Sequence, residues 1–174
     1  TLGGPDSPAP MQFNFSVSGW MAFTGPDGSA GSDAHLLLLV TDVGHDAVHV
    51  IDVAARTHVG HVAPLGSIPG PRGVAARGSL VAVSCWKKFD SGDHTVRLFE
   101  GSGSTWAPLR LMGVGFGAPG TADGQLRQPY GVRFTADGSG VAMADTGNGR
   151  VSLFAVADGS LVRQLASGLN LPYD

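Results

Sequence analysis

A proline and a glycine separated by one residue recur along this chain at nearly regular distances. The order Pro-x-Gly stands at residues 71–73 and 129–131, the glycine without its proline at 18–19, and the proline without its glycine at 172–174. Counted at the glycine position, these copies are 54, 58 and 43 residues apart. Repeats of ~40 to 50 residues are typical of β-propeller blades, because one small sheet cannot bury both faces alone and stacks on copies of itself. The spacing therefore predicts a repeat array.

The best preserved copy, residues 124–164, has the pattern of a four-stranded antiparallel sheet. Its four short apolar runs are separated by the turns Asp137-Gly138, Gly147-Asn148-Gly149 and Asp158-Gly159. Glycine in such turns supplies the positive φ that tight hairpins require. Other runs, such as residues 36–40, are apolar on both sides, which suits a sheet packed on both faces. The sequence predicts an all-β propeller of four-stranded antiparallel blades.

Composition agrees with this fold class and excludes several functions. The 174 residues include 27 Gly and 11 Pro, are 43% hydrophobic and carry a net charge of −3. With 11 basic residues, the chain lacks the cationic excess of a dedicated nucleic-acid binder. The single cysteine, Cys85, excludes an internal disulfide, and the longest aliphatic run is too short to span a bilayer. No membrane association is expected, and the compartment cannot be inferred.

Two motifs in the best preserved copy resemble the repeat of NHL-type β-propellers. The first is residues 124–132, with a Gly and a Leu before Pro-Tyr-Gly-Val, and the second is residues 144–151, with Ala-Asp, an Asn-containing turn and Arg-Val. Blade one has Ala47 in place of the arginine, and blade two has Ser84-Cys85 in place of Ala-Asp. The resemblance implies a fold and no activity. It also implies that six residues have architectural roles: Gly19, Gly73, Gly131, Asp42, Asp145 and Arg150.

The repeats predict the organisation of the whole chain. Residues 1–18 are an interblade connection, 19–66 blade one, 67–116 blade two, 117–168 blade three with the connection before it, and 169–174 the start of a further blade. Closed propellers have about four to eight blades, so about three blades are predicted to be a fragment of a larger ring. The alternative is closure by self-association, should the chain be complete.

Seven residues are the candidates for a binding surface. The turn after the second strand of blade two is lengthened and carries aromatic and basic side chains, which suit contact with a protein or stacking on single-stranded RNA. The middle residues of the Pro-x-Gly copies are expected near one rim of the ring. These candidates are Trp86, Lys87, Lys88 and Phe89 in the turn, and Arg72, Tyr130 and Tyr173 at the rim.

Catalytic and metal chemistry find less support. Residues 115–120 match Gly-x-Gly-x-x-Gly, but no helical pattern follows, so we interpret them as a connection. One alternative is that His45-Asp46 and His49 converge with His58 or His61, because adjacent strands stand about 4.8 Å apart and imidazole is the usual zinc ligand. His45 and His49 would lie about 13 Å apart along a strand, so the histidines are interpreted as surface or turn residues, with no metal or cofactor expected. Cys85 is interpreted as a packed small residue, the alternative being a thiol activated by Lys87 and Lys88.

The predicted function is a non-catalytic interaction scaffold that binds a protein partner, which the net charge favours over RNA. One alternative is a propeller enzyme, a metal-dependent lyase or hydrolase with a site in the central channel, since amidating lyases similar to this family hold zinc there with histidines. The predicted innermost strands, at 19–23, 73–77 and 131–134, carry no histidine or carboxylate. A second alternative is single-stranded RNA binding.

Overall fold

A computed structural model describes residues 21–24, 36–87, 93–103, 105–113 and 119–173, and within these ranges the chain forms three antiparallel four-stranded sheets. Blade one contains β1 (Met21–Thr24), β2 (Leu37–Asp42), β3 (Ala47–Asp52) and β4 (Thr57–His61). Blade two contains β5 (Pro71–Arg77), β6 (Leu80–Cys85), β7 (Thr95–Ser102) and β8 (Thr105–Met112). Blade three contains β9 (Pro129–Phe134), β10 (Gly140–Asp145), β11 (Arg150–Ala155) and β12 (Leu161–Ala166). The predicted all-β class and the four-stranded antiparallel sheets are confirmed.

Each sheet is a simple meander whose first strand lies innermost. In every blade the spatial order of the strands follows the chain, and β5 packs between β1 and β9. The predicted blade boundaries remain a prediction. The connection at 1–18, Gly19, Lys88, Phe89 and residues 115–118 lie outside the described residues. Within the described ranges, no helix has the length and hydropathy that a membrane crossing requires.

Two apolar cores lie between successive blades. The first joins blades one and two and includes Leu39, Val50, Val74, Val83 and Phe99. The second joins blades two and three and includes Val96, Leu98, Val132, Met143 and Phe154. Burying each such side chain contributes about 1.5–3 kcal/mol, which accounts for the predominance of apolar residues in the second and third strands of each blade.

Hydroxyl groups link the inner edges of neighbouring blades. Thr41 Oγ1 in blade one donates to the carbonyl of Arg72 at 3.0 Å, and Ser84 Oγ, at the equivalent position of blade two, donates to the carbonyl of Tyr130. Ser84 Oγ also accepts from the Gly73 N–H at 2.8 Å. A Cβ added to Gly73 would lie 2.3 Å from the Tyr130 carbonyl oxygen, so the glycine of Pro-x-Gly permits this close approach.

Candidate functional site

Four of the predicted binding residues form one continuous row, here called the rim row: Arg72, Trp86, Tyr130 and Tyr173. The Arg72 guanidinium carbon lies 4.4 Å from the Trp86 ring centroid and 5.8 Å from that of Tyr130. The ring centroids of Trp86 and Tyr130 are 5.6 Å apart, and those of Tyr130 and Tyr173 are 5.0 Å apart. The lengthened turn and the rim therefore supply parts of one surface.

Backbone hydrogen bonds from neighbouring segments fix the members of the rim row. Trp86 follows β6, and its N–H donates to the Gly70 carbonyl at 3.0 Å. The carbonyls of Arg72 and Tyr130 accept from the hydroxyls of the preceding blade described above. The Tyr173 carbonyl accepts from the Gly131 N–H at 2.8 Å. The row therefore follows directly from the way the blades are joined.

Arg72 is a buried cation that is held by aromatic rings. It is 5% exposed, and among the described residues no carboxylate lies within ion-pair distance of it. Its Nε and the Nε1 of Trp86 are buried without a hydrogen-bond partner in the described chain. Burial lowers the pKa of Arg72, and the electrostatic interaction with Tyr130 opposes this change. Cation–π attraction to two rings offsets part of the cost of burying the charge.

Exposure rises along the rim row towards Tyr173. Trp86 is buried, Tyr130 is half-buried and Tyr173 is 51% exposed. Burial raises the pKa of the Tyr130 hydroxyl, so this hydroxyl is a neutral hydrogen-bond donor at neutral pH. Lys87 adjoins the row, and its Nζ lies 2.7 Å from Asp46 Oδ2. The row thus combines a buried cationic end with an exposed aromatic end.

The predicted architectural residues form hydrogen bonds at the ends of β2 and β10. Asp42 Oδ1 accepts from the N–H groups of Gly44 and His45 at 3.0 and 3.2 Å. Asp145 Oδ1 accepts from the Arg127 N–H at 2.7 Å, and Oδ2 accepts from Arg150 Nε at 2.7 Å. Both carboxylates are fully buried.

Cys85 occupies in blade two the position that Asp145 occupies in blade three. Cys85 pairs with the first residue of β5, and Asp145 pairs with the first residue of β9. It is fully buried, and burial raises the pKa of its thiol, so the alternative of a thiol activated by lysines is wrong. Thiol packing replaces the carboxylate in this blade.

Three histidines on the adjacent strands β3 and β4 lie together. The ring centroids of His49, His58 and His61 are 4.8 to 5.2 Å apart. The interpretation of the histidines as surface or turn residues is wrong for His49, which is 7% exposed. That interpretation relied on the distance between His45 and His49 along one strand, whereas the group forms across two strands, where a β-bulge in β4 changes which residues share a face.

Comparison with known proteins establishes the fold. No family model matches the sequence, and no curated protein matches it. Among solved structures, hydrazine synthase of Kuenenia stuttgartiensis matches at 16% identity and a TM-score of 0.59, covering 88% of this chain and 36% of its own. The β-propeller domain of Myceliophteria thermophila Cps50 (Swd1) matches at 17% identity and a TM-score of 0.52, covering 83% of this chain and 40% of its own. The chain is a partial β-propeller.

A third similar structure is the complex of KlAtg21 with the coiled coil of AgAtg16. It matches this propeller at 11% identity and a TM-score of 0.54, covering 87% of this chain and 45% of its own. At these identities the likeness shows the fold alone. The propeller chain spans less than half the length of each of the three chains it matches.

Proposed function

We propose that this propeller is an NHL-type, non-catalytic scaffold and that it binds an acidic segment of a partner protein at the rim row. The observation that carries the proposal is the buried Arg72 guanidinium, which rests on Trp86 and Tyr130 with no carboxylate beside it among the described residues. A carboxylate brought by a partner would pair with a preorganised cation at low entropic cost.

The remaining residues of the rim row suit the same partner. Tyr173 offers an exposed aromatic face, and tyrosine, tryptophan and arginine are the side chains that contribute most to protein interfaces. Lys87, which is half-exposed, lies beside the row, where its ammonium group is paired with Asp46 Oδ2. Lys88 and Phe89, which lie outside the described residues, are predicted from the sequence alone to take part in binding. The solved complex of KlAtg21 with a coiled coil supports the proposal, because it is a structurally similar chain bound to a protein.

The composition of the innermost strands argues against a channel enzyme. The strands β1, β5 and β9 contain no histidine, aspartate, glutamate or cysteine. A catalytic metal or a general acid in the channel would need such groups to converge from several innermost strands. The net charge of −3 favours a protein over RNA as the partner, although the aromatic row could stack on bases.

Fluorescence anisotropy with labelled probes tests the proposal. The probes are a glutamate-rich peptide, its glutamine counterpart and an oligouridine. Each probe is titrated with the unmodified protein, with the variants Tyr173→Ala and Lys87→Ala, and with the control variant Leu165→Ala. Leu165 is also exposed and lies on the outermost strand of blade three. We expect only the glutamate peptide to bind. Its affinity should be about 10-fold lower for Tyr173→Ala, which corresponds to ~1.4 kcal/mol, and unchanged for Leu165→Ala. Preferential binding of oligouridine with a steep salt dependence, or equal affinity of the Tyr173 and Leu165 variants, would overturn it.

A further inference from the structure

The β3–β4 hairpin carries the histidine cluster because of one extra residue in β4. The register pairs His49 with His61 and Val50 with Gly60, and then Ile51 with His58, which leaves Val59 unpaired. Residues three positions apart face opposite sides of a regular strand, but a bulge between them brings both to one side. His58 and His61 consequently lie beside each other, with ring centroids 4.8 Å apart, and next to His49 on the neighbouring strand.

One of the distances between the imidazole nitrogens matches that around a tetrahedral metal ion, and the others are somewhat longer. Zn–N bonds of about 2.0–2.1 Å at tetrahedral angles place two ligand nitrogens ~3.3 Å apart. His49 Nδ1 and His58 Nε2 are 3.2 Å apart. One ligand nitrogen from each of His49, His58 and His61 lies within 4.8 Å of the other two. His58 is exposed and His61 half-buried, so both side chains have room to rotate towards a shared ion.

A buried carboxylate orients the central imidazole. His49 Nε2 lies 3.2 Å from Asp42 Oδ2, and Asp42 is fully buried. When Nε2 donates to this carboxylate, Nδ1 carries the lone pair that faces His58. Metal-ligating histidines commonly have such a carboxylate on their second nitrogen, which fixes the tautomer and raises ligand basicity.

We propose that His49, His58 and His61 bind one divalent transition-metal ion in the tetrahedral geometry of Zn²⁺. Imidazole is a ligand suited to zinc, and three imidazoles leave the fourth tetrahedral position for water. Within the described residues, no carboxylate or fourth imidazole joins the three. Burial lowers the pKa values of His49 and His61, which supports the site because a ligand must be neutral to bind.

The proposed metal site lies apart from the rim row and from the central channel. Its ligands lie on β3 and β4, outside the innermost strand of blade one, whereas the rim row is formed by residues in or after other strands. The ion would tie the outermost strand of this blade to its neighbour, with a solvent-facing coordination position. The inference holds whether or not the rim row binds a partner.

Metal titration of protein that carries no polyhistidine tag tests the site. After chelator treatment and dialysis, the protein is titrated with Zn²⁺ by calorimetry and with Co²⁺ by visible absorption, because tetrahedral Co²⁺ absorbs far more strongly than octahedral Co²⁺. The variants are His58→Gln and His61→Gln, and the matched control is His45→Gln. His45 contacts the same Asp42 carboxylate but lies outside the three-histidine group.

We expect one Zn²⁺ per chain, a strong tetrahedral Co²⁺ spectrum and at least about 100-fold weaker binding in His58→Gln and His61→Gln. His45→Gln should keep both the stoichiometry and the spectrum. Circular dichroism of the metal-free variants verifies that they are folded. Because His58 is exposed, His58→Gln should not disturb the fold. Absence of stoichiometric Zn²⁺ binding, or unchanged binding in both variants, would overturn the proposal.

Discussion

Arg150 and Asp145 form a buried ion pair that holds the connection leading into blade three. Arg150 Nε donates to Asp145 Oδ2 at 2.7 Å, and both side chains are almost completely buried. The other guanidinium nitrogens of Arg150 donate to carbonyls of that connection, those of Thr121, Ala122 and Gln125, at 2.6 to 3.1 Å. One side chain therefore satisfies a carboxylate and three backbone acceptors.

Removing this guanidinium should destabilise the protein severely. Arg150→Ala removes the cation beside the buried Asp145 carboxylate, which keeps only hydrogen bonds from the Arg127 N–H and Asn148, and deprives three carbonyls of a donor. We therefore expect a loss of about 3–5 kcal/mol in the free energy of unfolding. Urea denaturation measures it. The control Arg163→Ala, at an exposed position on β12, should change stability by less than ~0.5 kcal/mol. Equal effects of the two variants would show that the ion pair contributes little.

The thiol of Cys85 should be chemically inert while the protein is folded. It is fully buried, and burial raises the pKa of the thiol, so the reactive thiolate is absent at neutral pH. We expect a disulfide reagent such as dithiobis(nitrobenzoate) to label it slowly in buffer and at once in urea, where it behaves as a free thiol. Labelling at similar rates in both conditions would contradict the described packing.

The fold could be predicted because its cause is local and repeated. The turns at Asp137-Gly138 and Asp158-Gly159 and the apolar runs between them specify a meander, and stacking of similar sheets follows from the need to bury both faces. The innermost strand of blade two begins at Pro71, at the proline of the motif.

The candidate site could be predicted only in part, because its contacts depend on register. The rim residues Arg72, Tyr130 and Tyr173 share a motif position, so their proximity follows from the repeat, whereas the packing of Trp86 against Arg72 joins two separate features. The histidine group depends on a bulge at Val59, and a one-residue change in register reverses the faces of a strand. In the sequence, the only sign of such a bulge is a glycine between the closely spaced His58 and His61.

Asp137 should titrate well below an ordinary aspartate. The side-chain hydroxyls of Thr135 and Ser139 and the Ser139 N–H donate to its carboxylate and lower its pKa from 3.8 to about 2. A pKa that is lower in the folded state stabilises the fold above pH ~4, and this contribution is lost as the pH falls through about 2. Carbon-13 NMR titration of the carboxyl measures the midpoint, which Ser139→Ala should raise. A midpoint near 3.8 in the unmodified protein would contradict the turn geometry.

Ser84→Ala should weaken the junction between blades two and three. The hydroxyl accepts from the Gly73 N–H at 2.8 Å and donates to the Tyr130 carbonyl, so its removal leaves two backbone groups without this partner at a fully buried position. We expect a loss of about 1–3 kcal/mol in the free energy of unfolding, measured by urea denaturation. The control Ser79→Ala removes an exposed hydroxyl at 3.4 Å from Glu100 and should cost less than ~0.5 kcal/mol. Because Tyr130 belongs to the rim row, Ser84→Ala should also alter Trp86 fluorescence in the folded protein, and an unchanged spectrum would show that the junction does not position the row.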